Sequence, residues 1–211
     1  MRPAFTGPAR PIGNGCAVYR TQYGDTVAFP DGIFEDAMDQ LVLGRVEAVE
    51  LDIAANRYPD LQRIHAYWTA KRQGRFAPSR LDIDPVDMVE VLPRIMLINI
   101  ESEPLDFHYR LAGTGICDIH GIDPTGRRPR DLQPLAYGAL IDQHYREAIV
   151  RRAPMLHLIV LDTLNRARSY ARLLLPLSAD GERVTMLMSI DSKEQNGNPL
   201  SRFFETLIRR M

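Results

Sequence analysis

The stretch Tyr109–Leu132, YRLAGTGICDIHGIDPTGRRPRDL, decides the fold. It carries Gly113-Thr114-Gly115, a later Gly121, and Arg127, Arg128 and Arg130 close together. Two readings compete. In one, the glycines cradle a pyrophosphate and the arginines hold phosphates. In the other, the glycines end one strand of a hairpin and turn the chain into helix. A dinucleotide fingerprint needs G-x-G-x-x-G opening a helix after a parallel strand. Here the third glycine position is Asp118, and no Gly-Lys-Ser/Thr run supplies a phosphate loop. The hairpin reading follows, with the glycines giving backbone angles that other residues resist.

Working outward, the segments on both sides agree with an antiparallel neighbourhood. Ile95–Ile100 and Phe107–Ile116 read as strands joined by a turn over Ser102–Asp106. Leu135–Arg152 is an amphipathic helix, with Tyr137, Ile141, Tyr145, Ala148 and Ile149 on one side, stopped by Pro154. Met155–Thr163, Ser169–Ser178 and Arg183–Ser192 read as three strands, with Asn165 and Asp180-Gly181 at the turns. Upstream, Pro59–Gln73 is a helix with Leu61, Ile64 and Trp68 on one side and Gly74 as its stop. Asp84-Pro85 caps a short helix that ends before Pro93.

The predicted fold class is α+β: a five-stranded antiparallel sheet with helices on one face, and the 59–73 helix covering the second. Outside it lie an N-terminal helical extension and a C-terminal helix. Residues 1–30, rich in Pro and Gly, read as a loose arm. Asp31–Gly44 carries a helical stripe from Ile33 to Val42 that Gly44 closes. Residues 45–57 have no decisive period. Pro199–Arg210 is a final helix showing Phe203, Phe204, Leu207 and Ile208. The divisions are 1–58 arm and extension, 59–93 flanking helix and linker, 94–192 core, and 193–211 C-terminal helix.

Composition narrows the function. The 211 residues are 45% hydrophobic and 25% charged with a net charge of −1, so no basic field draws the chain to nucleic acid or to a membrane surface. The two cysteines, Cys16 and Cys117, form no CxxC pair, which argues against a zinc knuckle and for a reducing cytoplasm. There is no signal-peptide pattern, and the apolar stretch Met155–Leu161 is short and broken by His157. A cytoplasmic protein is expected.

The order of elements from residue 94 onward is that of a PAS domain. The segments KRQGRFAPSRLDIDPVDM after Trp68, LPRIMLINI, and FHYRLAGTGICDIHGIDPTG, with the apolar strands at 169–190, resemble a bacterial PAS-type family over roughly residues 60–192. The resemblance implies a PAS fold used as a sensor or interaction module and implies no particular cofactor. A haem-binding version of such a fold would use a histidine on the helical side, where His120 and His144 fall. The cysteine-containing run of flavin-binding PAS photoreceptors is missing around Cys117.

The expected pocket residues are Tyr109, Arg110, Thr114, His120, Tyr145 and His157. Arg110, mid-strand, needs an ionic partner, for which the carboxylates of the 81–90 segment are candidates. Arg127, Arg128 and Arg130 form a weak phosphate or partner loop, balanced by Asp123 and Asp131. Leu61, Ile64 and Trp68 are the expected dimer or partner face, because a helix so apolar must dock on something. No catalytic constellation and no metal spacing stands out; the rival enzyme reading uses Asp118, His120 and Asp123. The expectation is a non-catalytic sensory or interaction module in bacterial signalling. It forms a homodimer and binds a small molecule or a protein partner that shifts the packing of its flanking helices. The alternatives are a structural adaptor with a filled core, and nucleotide or second-messenger binding through the arginine loop.

Overall fold

The computed structural model describes residues 10–12, 16–20, 26–30, 43–120, 122–132, 134–163 and 166–196. The chain divides into two units, Met1–Gly44 with Thr163–Asn165, and Arg45–Asp162 with Arg166–Met211. In the smaller one, strands β1 (Arg10–Ile12), β2 (Cys16–Arg20) and β3 (Thr26–Pro30) form an antiparallel sheet in that order. The register pairs Arg10 with Val18 and Ala17 with Phe29. A loose arm was expected here. The Pro and Gly residues lie between short runs, such as Ala17-Val18-Tyr19 and Val27-Ala28-Phe29, that suit paired strands. The helices expected over 31–44 and 199–210 fall outside the described residues, apart from Leu43 and Gly44, which belong to a strand.

The larger unit is built on β4 (Leu43–Glu50), α1 (Pro59–Arg72), β5 (Ile95–Ser102), β6 (Leu105–Ala112), α2 (Thr114–His120), α3 (Leu135–Arg151), β7 (Met155–Thr163), β8 (Arg166–Leu177) and β9 (Met186–Asn196). Short 3-10 turns fill the linker at Arg80–Asp82, Pro85–Met88 and Leu92–Arg94. The strand order is β4-β7-β8-β9-β5-β6. This is a sixth strand more than the sequence predicts: β4 joins at the edge beside β7, from the stretch that had no clear period. The expected hairpin is present, with Ile98 opposite Tyr109 and Asn99 opposite His108. β5 in turn pairs antiparallel with β9, Leu97 opposite Met188. Residues 105–112 therefore form an antiparallel edge strand, which excludes the pyrophosphate reading.

Because successive strand residues point to opposite faces, the run Ala171–Leu177 feeds two cores at once. On one face, here called outer, Ala171, Leu173, Leu175 and Leu177 of β8 join Met188 and Ile190 of β9 and Ile95 and Leu97 of β5. The i, i+3, i+7 spacing of Leu61, Ile64 and Trp68 brings all three onto that cluster. Each is 1% exposed, and the Trp68 indole N–H donates to Pro176 O at 2.9 Å. These residues are therefore not a free dimer or partner face: their area is spent inside the domain. On the inner face, Phe107, Tyr109, Leu174 and Leu187 lie buried with Ile116, Tyr137, Ile141, Tyr145 and Ala148. The Phe107 and Tyr145 rings meet edge to face with centroids 5.5 Å apart.

Chain ends of the helices follow local rules. Pro59 opens α1, and the chain leaves it through left-handed Gln73 and Gly74. Asp84 accepts the Val86 N–H at 2.9 Å, so the cap read from sequence exists, on a 3-10 turn. The glycine run behaves differently from expectation. Gly113 and Gly115 are not among the described positive-φ residues. What requires glycine at 113 is proximity: a Cβ there would lie 2.5 Å from the Pro93 carbonyl carbon and oxygen, and closer still to Leu92 O. The Gly113 N–H donates to Ile95 O at 2.8 Å, completing the contact between the linker and the strand end.

Two substitutions test this packing by urea denaturation. Gly113→Ala forces Leu92-Pro93 away from the strand end and is expected to destabilise by about 1–3 kcal/mol. Trp68→Ala is expected to cost about 3–5 kcal/mol. An unchanged midpoint for either would show that the linker or α1 is not seated as described.

Candidate functional site

Each face of the large sheet offers a place where function could reside, and they differ in kind. Among the described residues, the inner face carries a buried polar cluster beside its apolar residues. Arg172, on β8 at the α3 side, is 1% exposed. One guanidinium nitrogen donates to His144 Nδ1 at 2.7 Å, and the guanidinium carbon stands 5.8 Å from the Tyr145 ring centre. His144 stacks on His157 at 4.0 Å between centroids. Tyr137 and Tyr170 share a hydroxyl hydrogen bond of 2.8 Å, and the Tyr145 hydroxyl donates to Tyr109 Oη at 3.5 Å. Asp191 is the cross-strand neighbour of Arg172. Arg172 Nε, Ser189 Oγ, Asp191 Oδ1 and His157 Nδ1 have no hydrogen-bond partner among the described residues. A cavity of about 10 Å³ lies between Met96, Tyr109, Pro124, Leu132, Tyr137 and Arg172, the size of a single water.

Burial governs the titration of this cluster. It pushes Asp191 up to about 7, against the pull of Arg172 and Arg94. Burial, reinforced by the Arg172 charge, pushes His144 down to about 2 and His157 down to about 4. Both rings are thus neutral at neutral pH, as the Arg172 donation to His144 Nδ1 requires.

The outer face holds a roomier site. The 3-10 turns of the linker stand off the β5–β6 edge and leave a partly open groove of about 430 Å³. Ile83, Pro85, Met88 and Leu92 form one wall; Ile95, Leu97, Leu111 and Met188 form the floor and the other. Arg80 and Thr114 are its polar lining side chains. An apolar cleft of this volume with few polar groups is the usual shape of a small-molecule site. On the solvent side of the same turns, Leu81 is 96% exposed, Val86 76% and Val89 62%.

The six expected pocket residues separate between these places. Tyr109, Tyr145 and His157 are buried on the inner face, the last joined to the others through His144 and Arg172. Thr114 lines the outer groove. Arg110 is exposed on the edge strand and has no ion pair among the described residues. The partners expected for it are taken: Asp82 by Arg75 at 2.8 Å, Asp87 by Lys71 at 3.3 Å, and Glu90 by Arg63. The His120 side chain lies outside the described residues. The arginine loop is also committed. Arg130 bonds Asp106 Oδ2 at 2.8 Å, and Arg128 bonds the same carboxylate and reaches Glu101 at 3.3 Å. Although burial raises the Asp106 pKa, the Phe107 N–H and the two arginines hold its carboxyl below the ordinary value. Arg127 serves the edge through its backbone, its O accepting the Tyr109 N–H at 2.9 Å. Cys117 is half-buried, and burial followed by the Asp123 charge pushes its thiol up, away from the reactive thiolate. No cluster of three metal-ligating side chains gathers among the described residues.

Sequence reasoning missed Arg172, Asp191, Tyr170 and the groove. A signal existed for the first two: each is a charge inside a strand whose neighbours are apolar or small, ARLLLPL and MSIDS. The groove had a fainter one, the excess of aliphatic residues in RLDIDPVDMVEVLPRI over what short turns can bury.

The opposed titrations give a signed prediction. An acid with a raised pKa stabilises the fold as pH drops from about 7 toward the unfolded value near 4. Neutral buried histidines do the reverse, losing stability as pH falls below about 6.5. Asp191→Asn removes the compensating acid. Its urea midpoint is therefore expected to fall more steeply than that of the unsubstituted chain between pH 7 and 4. Parallel curves would contradict the assigned burial of Asp191.

A family model described as PAS domain matches residues 57–196. Among solved structures, the chain is similar to one titled "Structure of an RNA-binding Light-Oxygen-Voltage Receptor". That match has 15% identity and a TM-score of 0.39, over 79% of this chain and 42% of that one. The chain thus spans under half the length of that receptor. No curated protein matches. No helix among the described residues is long and apolar enough to cross a membrane. With its antiparallel sheet of the expected order and a family match over most of its length, the chain belongs to the PAS domain family, whose members are sensory or interaction modules.

Proposed function

We propose that the module senses or docks through the outer groove, and that an occupant there resets how α1 and the 80–94 linker pack on the sheet. One observation carries this. Ile83, Met88, Ile95, Leu97 and Met188 line the groove and also belong to the core cluster that seats Leu61, Ile64 and Trp68. Anything that enters the groove presses on the side chains beneath α1. A ligand shifts such an equilibrium only by its difference in affinity for the two packings. Shared walls provide that difference. Among the described residues the inner face supports a receptor role less well, because the cavity beside Arg172 admits one water and Arg172 is engaged by His144.

The adaptor alternative is supported only in part, since a pure adaptor has no use for a 430 Å³ apolar groove. The nucleotide alternative loses support because Asp106 engages Arg128 and Arg130. In a bacterial signalling role, the moved elements would hand the change to a protein partner. A homodimer, expected from sequence through Leu61, Ile64 and Trp68, would instead use the exposed Leu81, Val86 and Val89.

Trp68 is the sole tryptophan and reports on α1 directly. Nile Red is expected to bind one per chain and to change Trp68 emission, and Leu111→Asp, at an exposed position of the groove wall, to weaken it about tenfold or more. Binding with no change in Trp68 emission or in amide exchange over 80–94 would defeat the coupling. Sedimentation equilibrium tests the other surface. Association that the Val86→Asp, Val89→Asp double variant abolishes supports the dimer, and a monomer at all concentrations refutes it.

A further inference from the structure

We infer that the groove is built for a single-chain amphiphile with one anionic head, a free alkyl carboxylate, with Arg80 as the group that holds the head. The inference rests on the groove being the recognition site and adds the chemistry of its occupant.

The charge arrangement around the linker supplies the argument. Each carboxylate of the segment that carries Arg80 already has a partner. Asp82 takes Arg75 at 2.8 Å and the Ser79 N–H at 2.7 Å. Asp84 caps its own turn through Val86 N, Asp87 faces Lys71, and Glu90 pairs with Arg63. Asp60, below them, holds Arg94 at 2.6 Å. Arg80 is left over. It is half-buried at the groove, it donates to Ile83 O at 2.9 Å, and it meets no carboxylate among the described residues. A guanidinium has five N–H donors, so a single carbonyl leaves most of its capacity unused. Its planar fork matches a carboxylate in bidentate fashion.

The rest of the lining is mostly hydrocarbon. Ile83, Met88, Leu97 and Met188 offer no hydrogen bond beyond a weak thioether, and Thr114 is the other polar side chain. A ligand with several polar groups would strand most of them, and a cation would meet Arg80 with like charge. An alkyl chain with one terminal anion satisfies both parts: methylenes against the aliphatic wall, the head against the leftover guanidinium. A partly open groove also lets the chain enter without unfolding the linker.

The test is isothermal titration of the full chain near neutral pH with four probes below their micelle thresholds: decanoate, hexanoate, decanol and decyltrimethylammonium. Decanoate is expected to bind one per chain. Hexanoate should bind more weakly by about fourfold per methylene removed. Decanol and decyltrimethylammonium should each be weaker than decanoate by about tenfold or more. In Arg80→Gln, which keeps a donor for Ile83 O, decanoate should drop to the level of decanol while decanol is unchanged; a matched urea midpoint confirms the fold. Equal affinities for decanoate and decanol in the unsubstituted chain would overturn the anion assignment and leave the groove reading standing. Failure of all four probes would remove both. Uptake by phosphatidylglycerol vesicles without decanoate binding would overturn it in favour of a membrane surface. Decanoate that acts by dissociating a dimer would overturn it in favour of a second copy.

Discussion

The structure depends on a sheet that is buried on both faces. Leu173 and Leu174 are adjacent in sequence and both are buried, yet one packs in the cluster beneath α1 and the other points to the opposite face, where α3 packs. Such strands cannot be left half in water, so each face must recruit a helix. On the outer face the recruit is α1, held by its three-residue stripe and by the indole bond from Trp68 to Pro176. On the inner face it is α3, which reaches the sheet through Tyr137, Tyr145 and His144. Losing either cover would expose a continuous apolar surface, the condition that drives aggregation.

The two faces solve the burial problem differently. The inner core contains a cation, the acid Asp191, two stacked imidazoles and four tyrosine hydroxyls, and hydrogen bonds join Arg172 to His144 and the tyrosines in pairs. Such a network is costly to rearrange, because each polar group that loses its partner is left unsatisfied in a poor solvent for charge. The outer core is hydrocarbon, with the flexible Met88 and Met188 in the groove lining. Aliphatic contacts are non-directional, and methionine adapts to new neighbours. A stiff inner layer and a compliant outer one would send any movement through α1 and the linker.

Backbone contact joins the linker to the sheet where side chains of Ile83, Met88 and Val91 also pack. Gly113 lets Leu92-Pro93 lie against the end of β6 at a distance that a Cβ would forbid. This contact sets where the 3-10 turns stand, and so it shapes the mouth of the groove. The glycine run that first suggests a phosphate cradle thus serves as a seat for another piece of chain.

How much of this was legible follows from the range of the forces involved. Strand alternation, the 61/64/68 stripe, the Asp84-Pro85 cap and the Gly74 stop are set by neighbours a few residues away, and they are readable in the sequence. The element order and the PAS resemblance came from the same local signals. β4 was not legible, because an edge strand paired on one side needs little pattern of its own. Nor was the meeting of Arg172 with His144, or of Arg128 and Arg130 with Asp106: their partners lie 28, 22 and 24 residues away. By itself the sequence determined an antiparallel PAS sheet flanked by two amphipathic helices, because hydrophobic period and turn chemistry are local properties. Only the tertiary structure decided which face is polar, which arginines are already paired, and that a groove remains under the linker. Charge pairing and leftover volume depend on which distant side chains arrive at the same place.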